Sequence, residues 1–365
     1  MIKVLELFAG IGACSKALTN LGIEHEIVDA VEIDKYAVAS FNAIHGTNFE
    51  PQDITKWDKD IEVDLIMHGS PCQDFSVAGK GAGGDEGSGT RSSLLYETLR
   101  IVDKLRPKYV IWENVKNLLS KKHVHNWEAY AERMKEMGYT NYCQVLNAKN
   151  YGVPQNRERV FTVSILGGDD FVFPEPIELK KKLEDVLDNE VEEKFYLTES
   201  NIKTINRNFG SKGKILDLDG FSVVEKMTYP SRINQKKGET ICPTLASAMG
   251  TGGGNVPVIV ASRGRNPDNP SDRTPGAPTV QRLEPRLDGC TNTLTSVQKD
   301  NYVAKNGSLR KLTPKECWRL MGFDDSDFEK ASKVNSNTQL YKQAGNSIVV
   351  NVLEAILNNL IGGER

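Results

Sequence analysis

The chain has 365 residues, of which 26% are charged and 39% hydrophobic, as is typical of a globular protein with room for about two domains. No apolar run approaches the roughly 20 residues that a membrane-spanning helix needs, and the first residues show no export pattern. The net charge is −3, yet residues 221–310 hold 12 Lys and Arg against 7 Asp and Glu. This basic segment indicates either a surface that contacts phosphates or an ordinary solvated face.

The six cysteines are scattered along the chain, and no two of them form a CxxC pair. This spacing argues against a zinc site and against a disulfide framework. We therefore expect a reduced, cytoplasmic protein that binds neither a metal ion nor a membrane.

Short apolar runs alternate with amphipathic stretches over the first 170 residues. The apolar runs predict strands at 3–8, 26–33, 63–68, 109–112, 142–146 and 160–165. The amphipathic stretches predict helices at 13–21, 36–44, 93–105 and 127–137, and a further helix at 347–360. Strands that alternate with helices predict an α/β fold with a doubly wound, mostly parallel sheet.

The composition changes near residue 175. A charged stretch at 180–194 is followed by sequence rich in Gly, Pro, Asn and Thr with few periodic segments. This pattern predicts a second, smaller, loop-rich domain of short strands. We expect a catalytic and cofactor-binding domain at 1–175, the second domain at 176–325, and a C-terminal segment at 326–365 that returns to the first.

The first motif, ELFAGIG, joins the first strand to the first helix. Gly10 and Gly12 let the backbone approach a ligand, and the helix N-terminus offers free N–H groups. Glu32 ends the second strand, where a carboxylate can accept hydrogen bonds from the ribose of a nucleoside cofactor. Ser15 replaces the third glycine of a dinucleotide motif, which disfavours a dehydrogenase and leaves room for S-adenosyl-methionine. Asp53 fits an adenine contact and a helix N-cap equally well.

The second motif, GSPCQDFS, directly follows the third strand. A turn at this point places Cys72 at the carboxyl edge of the sheet, where such folds bind ligands. A free thiol is only a few per cent ionised at neutral pH, and a position at a helix start raises that fraction. The proline and polar residues around it disfavour a buried structural cysteine.

Two further motifs lie beside apolar strands. Glu113 of ENV follows the fourth strand, where desolvation favours a protonated carboxyl that can donate a proton. Arg157 and Arg159 of QNRER precede the last strand. Because they are two residues apart in an extended segment, we expect them to point the same way and to bind an oxygen or a phosphate.

In this order and spacing, the motifs resemble those of the cytosine-5 DNA methyltransferase family. FAGIG resembles its cofactor loop, PCQDFS its nucleophile motif, ENV its acidic motif and QNRER its QxRxR motif. Near the C-terminus, RKLTPKE and QAGNS are similar to its last motifs. The similarity covers residues 1–170 and 308–362 and leaves a variable region between them.

The resemblance implies transfer of a methyl group from S-adenosyl-L-methionine to C5 of a cytosine that is flipped out of double-stranded DNA. Cys72 would attack C6, Glu113 would hydrogen-bond N3 and the exocyclic amine, and Arg159, with Arg157, would hold O2. The residues implied to line the cofactor site are Phe8, Gly10, Gly12, Glu32, Asp53, Pro71, Asn346 and Ser347.

The second domain is implied to be a target-recognition domain. Thr244 and Thr293 each begin a Thr-Leu pair of the kind found in such domains, and the sequence does not decide between them. Its arginines are suited to reading guanine, although at least half of them are expected to contact only phosphates. The residues expected at the DNA are Gln73, Ser76, Arg91, Thr244, Arg263, Arg265 and Thr293.

The main alternative is a tRNA-directed member of the same family. The long segment 176–309 disfavours it, because that branch has a short recognition region. A catalytically inactive relative is disfavoured because every residue that the chemistry requires is present. An enzyme that methylates an amino group is disfavoured because the sequence has no Asn/Asp-Pro-Pro-Tyr motif. We therefore predict a monomeric enzyme of the restriction-modification type, located in the cytoplasm and associated with the nucleoid of a bacterial host.

Overall fold

A computed structural model of the chain describes residues 1–71, 87–197, 258–266, 268–269, 278–286, 289–295, 301–305 and 308–362. The chain divides into two compact units. The first unit contains Met1–Lys180 and Cys317–Arg365, and the second contains Lys181–Glu316.

The first unit is built on a mostly parallel sheet, as predicted. Its described strands are β1 Ile2–Leu7, β2 His25–Val31, β3 Leu65–His68, β4 Tyr109–Val115, β5 Tyr139–Asn147, the two-residue β6 Gln155–Asn156, and β7 Glu158–Leu166. Six of them form a sheet in the order β2-β1-β3-β4-β7-β5. The first four strands in this order run parallel, whereas β7 runs antiparallel to both of its neighbours.

The predicted helices are all present. The helices of the described chain are α1 Ala13–Asn20, α2 Lys35–His45, α3 Leu95–Leu105, α4 Val124–Glu136, α5 Pro314–Arg319, α6 Asp325–Ser332, α7 Asn337–Asn346 and α8 Val350–Ile361. Asp34 begins α2 by accepting the N–H of Tyr36, and Gly46 ends it in the left-handed conformation, with a φ of 70°. A 3-10 turn at Arg91–Leu94 precedes α3.

Helices cover both faces of the sheet. Glu6 of β1 accepts a hydrogen bond from the Ser15 N–H of α1 at 3.0 Å, which places Glu6 on the α1 side. Leu5, on the opposite face, belongs to a buried apolar cluster with Leu99 of α3 and Tyr130 of α4. This arrangement confirms the predicted doubly wound α/β fold.

The stretch Asn337–Ile361 is long and apolar enough, by length and composition alone, to cross a membrane. It is divided into α7 and α8, however, and α8 packs against α1. Val352, Leu353, Ile356 and Leu357 of α8 are buried in the protein. Such burial is typical of a core helix.

The second unit contains a four-stranded antiparallel sheet in the order β12-β11-β8-β9. Its described strands are β8 Val258–Arg265, β9 Val280–Arg286, β10 Thr291–Asn292, β11 Tyr302–Lys305 and β12 Ser308–Lys311. Arg310 forms a buried bidentate ion pair with Glu316, at 2.7 and 2.8 Å. Glu316 also accepts the N–H groups of Thr313 and Asp188, so both carboxylate oxygens are satisfied.

Candidate active site

The carboxyl ends of β1, β3 and β4 lie side by side because these strands are parallel neighbours. A cleft opens at this edge of the sheet. Its lining includes Phe8, Gly10, Gly69, Glu113, Asn346 and Ser347. All of these residues except Gly69 were expected at the site from the sequence. The fold thus brings together residues that are far apart in the chain.

The loop after β1 is held by Glu32, which directly follows the neighbouring strand β2. Gly10 donates its N–H to Glu32 Oε2 at 3.1 Å, and the N–H of Asp34 donates to Oε1 at 2.8 Å. Each oxygen keeps lone pairs for a further donor, such as a ribose hydroxyl. Burial raises the pKa of Glu32, and the two backbone hydrogen bonds oppose that rise.

Gly12 and Asp53 have structural roles at the edge of this loop. A Cβ on Gly12, whose φ is 80°, would lie 2.1 Å from Nε2 of His45, so only glycine fits against α2. Burial lowers the pKa of His45 to about 4, which leaves the ring neutral, with Nε2 3.2 Å from the Ile11 carbonyl oxygen. Asp53 caps the 3-10 turn Ile54–Lys56 by accepting the N–H of Thr55. The cofactor contacts expected of Gly12 and Asp53 stay predictions.

Glu113 and Arg159 form an ion pair across β4 and β7. Nε of Arg159 lies 3.0 Å from Oε1 of Glu113, and the two side chains are only 17% and 12% exposed. A Cβ on Gly69 would lie 3.7 Å from Glu113 Oε2, so the glycine keeps space open beside the carboxyl group. The pair therefore offers an acidic group and a cationic donor at one wall of the cleft.

The turn after β3 is anchored by side chains from two other elements. Trp112 of β4 donates its indole N–H to Ser70 Oγ at 3.0 Å, and Asn114 donates its side-chain N–H to the Ser70 carbonyl at 3.2 Å. Ser92 donates its hydroxyl to the Pro71 carbonyl at 2.8 Å. These anchoring roles could not be predicted from the sequence, because they depend on contacts between distant segments.

Glu6 lies in the wall of the cleft and was not expected there from the sequence. It is only 2% exposed, its carboxylate accepts both the N–H and the hydroxyl of Ser15, and burial raises its pKa to about 7. One feature of the sequence could have indicated this position: Glu6 is an acidic residue in a mostly apolar strand shortly before FAGIG. It adds a second carboxyl group beside the loop that Glu32 holds.

The match to known proteins runs the whole length of the chain. Residues 2–362 match the family of C-5 cytosine-specific DNA methylases. The chain is 32% identical to Type II methyltransferase M2.ScrFI of Lactococcus lactis subsp. cremoris, over 99% of each protein. It is 33% identical to Type II methyltransferase M.HhaI of Haemophilus parahaemolyticus, over 98% of this chain and 94% of that protein. The chain belongs to the C-5 cytosine-specific DNA methylase family.

Solved structures share the fold of this methylase at lower identity. The Dnmt2 methyltransferase of S. pombe aligns with a TM-score of 0.62 and 16% identity over 100% of both chains. A putative DNA modification methyltransferase encoded within an E. coli prophage aligns with a TM-score of 0.60 and 18% identity over 99% of both. At these identities the likeness shows a common fold.

The methylase therefore transfers a methyl group to C5 of cytosine in DNA, with S-adenosyl-L-methionine as its cofactor, as predicted. The residues at the cleft fit this cofactor. Among the described residues other than Gly10 and its two chain neighbours, no atom lies within 4 Å of a Cβ built on Gly10, so a ligand can approach the backbone closely. Glu32 can accept the ribose hydroxyls, and the buried carboxylate of Glu6 suits a sulfonium or an ammonium group.

Arg157 holds two backbone carbonyls near the cleft. Its guanidinium is buried and donates to the carbonyl oxygens of Gly345 at 3.3 Å and Ser347 at 2.8 Å. The backbone N–H of Arg157 donates to the Gln155 carbonyl at 3.0 Å. The expectation that Arg157 points the same way as Arg159 and holds the base stays a prediction.

Several predicted site residues lie outside the described part of the chain, namely Cys72, Gln73, Ser76 and Thr244. Pro71, directly before Cys72, is described and half-buried. The other residues expected at the DNA are distributed over both units: Arg91 begins the 3-10 turn before α3, Arg263 and Arg265 lie on β8, and Thr293 directly follows β10.

We predict that Arg157→Met lowers the free energy of unfolding by about 1–3 kcal/mol, because it leaves the Gly345 and Ser347 carbonyls without their donor. Arg159→Met should instead slow methyl transfer. Urea denaturation and single-turnover methylation measure the two effects. If Arg157→Met were as stable as the wild type but slow, Arg157 would act on the substrate, as the sequence indicated.

Proposed function

We propose that Cys72 is the nucleophile of this DNA methyltransferase and that it attacks C6 of a cytosine flipped out of a specific duplex sequence. The observation that carries the proposal is the Glu113–Arg159 ion pair, which lies in the cleft beside Gly69. The chain runs from Gly69 to Cys72 in three residues. A nucleophile that follows this turn would be close to both an acid and a cation.

The residue types account for the chemistry. C5 of cytosine is a poor nucleophile until the Cys72 thiolate bonds to C6 and the displaced electron pair moves into the ring. When bound, S-adenosyl-L-methionine supplies the methyl group that C5 takes up. Loss of the C5 proton to water and expulsion of the thiolate then restore the aromatic ring. Because C6 is hidden in the base stack, the nucleotide must first leave the duplex.

Glu113 and Arg159 have complementary roles in this proposal. Glu113, in its protonated form, donates to N3 and accepts from the exocyclic amine, which makes C6 more electrophilic. Arg159 donates to O2 and offsets the negative charge that develops on the ring. Arg157 acts indirectly, since it holds the backbone at Ser347 in the wall of the cleft.

We assign the cofactor to the residues that surround the loop after β1. Phe8, Gly10, Asn346 and Ser347 line the cleft, and Glu32 is hydrogen-bonded to Gly10. Gly12, Asp53 and Pro71 complete the proposed set. The support is their position at the carboxyl edge of parallel strands, where folds of this class bind ligands.

We assign target recognition to the second unit, which contains the whole basic segment 221–310. The register of β8 and β9 places Arg263 directly opposite Arg282. Arginines of this segment are suited to contacts with DNA phosphates. Arg265 and Thr293, together with Gln73, Ser76, Arg91 and Thr244, complete the proposed DNA contacts.

We further propose that the enzyme acts as a monomer on double-stranded DNA and needs no metal ion. A thiolate, an acid and a guanidinium supply every charge that the proposed steps require. Its place would be the cytoplasm of a bacterial host, in association with the nucleoid, because its substrate is there.

We predict that wild-type enzyme forms a covalent adduct with a 5-fluorocytosine duplex through Cys72, because fluorine at C5 blocks the final elimination. Cys72→Ser should bind DNA and cofactor but lose methyl transfer, since a hydroxyl is far less ionised than a thiol at neutral pH. Peptide mapping of the adduct by mass spectrometry identifies the residue. Cys143→Ser is the control and should react normally; an adduct on another cysteine would refute the assignment.

We predict that Glu113→Gln lowers the single-turnover rate on the order of 10²–10⁴-fold, the usual contribution of a general acid. The amide keeps the shape of the side chain but has no acidic proton for N3. Glu158→Gln is a matched control, because Glu158 is an exposed residue of β7 that pairs with Lys116. An unchanged rate in Glu113→Gln would limit Glu113 to a structural role.

We predict that exchange of residues 181–316 for the equivalent region of a relative moves the methylated sequence and leaves Cys72 as the trapped residue. The reason is that the proposed chemical residues belong to the first unit, whereas the basic segment belongs entirely to the second. Bisulfite sequencing of a plasmid methylated by the chimera identifies the target. Methylation of the original sequence by a folded chimera would place recognition elsewhere.

A further inference from the structure

Ser92 is a fully buried residue of the 3-10 turn before α3, and the proposed chemistry does not use it. Its hydroxyl donates to the carbonyl oxygen of Pro71 at 2.8 Å, across 21 positions of the chain. That carbonyl belongs to the peptide bond between Pro71 and Cys72. Because a peptide group is planar, the direction of this carbonyl also sets the direction in which the chain enters Cys72.

The residues before Cys72 leave little other freedom. Ser70 is held on β4 by Trp112 through its hydroxyl and by Asn114 through its carbonyl. The ring of Pro71 fixes its own φ, so ψ of Pro71 is the one soft dihedral left between the anchored Ser70 and the Pro71–Cys72 peptide bond. The hydrogen bond from Ser92 acts on that dihedral, because rotation about ψ moves the carbonyl oxygen.

We propose that Ser92 is a positioning residue for the nucleophile: by holding the Pro71 carbonyl, its hydroxyl fixes the orientation of the peptide bond from which Cys72 extends. This inference rests on the proposed role of Cys72. The proposal gives Ser92 no contact with the base or the cofactor, so it acts on the covalent step through the backbone at Pro71.

The expected effect of removing the hydroxyl follows from this geometry. Ser92→Ala frees ψ of Pro71, and a displacement of a reacting atom by about 1 Å can cost 10²-fold in rate. We therefore expect covalent trapping of a 5-fluorocytosine duplex to slow by about 10- to 100-fold. The dissociation constants for S-adenosyl-L-homocysteine and for the duplex should stay within about twofold, because the variant changes no residue that we place in contact with either ligand.

The test compares four proteins in trapping rate, ligand affinity and melting temperature: wild type, Ser92→Ala, Ser92→Thr and Ser93→Ala. Ser93→Ala is the matched control, since Ser93 belongs to the same turn and donates its hydroxyl locally to the Thr90 carbonyl at 2.7 Å. It should trap at the wild-type rate. Ser92→Thr keeps the hydroxyl and should recover most of the rate that the alanine variant loses.

The outcomes separate this inference from the proposed function. Slow trapping by Ser92→Ala with normal affinities, and rescue by threonine, supports the positioning role. Trapping by Ser92→Ala at the wild-type rate overturns it. A variant whose trapping rate, ligand affinities and melting temperature all fall together also overturns it, as does a Ser92→Thr variant that melts normally but traps slowly. If the wild type itself forms no adduct at Cys72, the proposed function fails before the role of Ser92 is reached.

Discussion

Parallel strands that end at a common edge are the constraint on which the site depends. β1, β3 and β4 are neighbours in parallel, so the segments that follow them must meet whatever their separation in sequence. This edge brings the loop after β1 and the turn after β3 to Glu113. The antiparallel strand β7 then adds Arg159, because its first residues lie beside the last residues of β4, with Arg159 opposite Val115.

The polar groups buried near this edge connect the fold to the chemistry. A buried polar group is costly unless it is hydrogen-bonded, so each one fixes the segment that satisfies it. Arg157 fixes the turn at Ser347, and Asp29 accepts from Gln52 and Trp57 at 2.8 and 2.7 Å, on either side of Asp53. The cleft wall at Ser347 is therefore held by a residue that need not touch a ligand itself.

Much of the fold could be predicted from the sequence, because the spacing of apolar residues indicates which positions are buried and the glycines indicate where the chain turns. The ends of the elements could not be predicted. The apolar run predicts a strand at 109–112, yet β4 extends to Val115, since Glu113, Asn114 and Val115 pair with β7. The antiparallel direction of β7 could not be predicted either, because side chains alternate with the same period whichever way a strand runs.

The site could be predicted where motif and strand end coincide, as at Phe8, Gly10 and Glu113. It could not be predicted where a role depends on distant contacts. Arg157 and Arg159 look equivalent in the sequence, but the guanidinium of Arg157 donates to backbone carbonyls, whereas that of Arg159 pairs with Glu113. Ser92 carries no motif signal, because its partner carbonyl lies 21 positions away.

Bisulfite sequencing of DNA from cells that express the enzyme tests the central claim most directly, because it reads the reaction and its target together. We expect cytosines in one fixed sequence context to resist bisulfite conversion in DNA from cells with the wild type, and to be converted in DNA from cells with Cys72→Ser. The account would be contradicted if no cytosines resisted conversion although the wild-type protein is folded, or if they still resisted conversion in cells with Cys72→Ser.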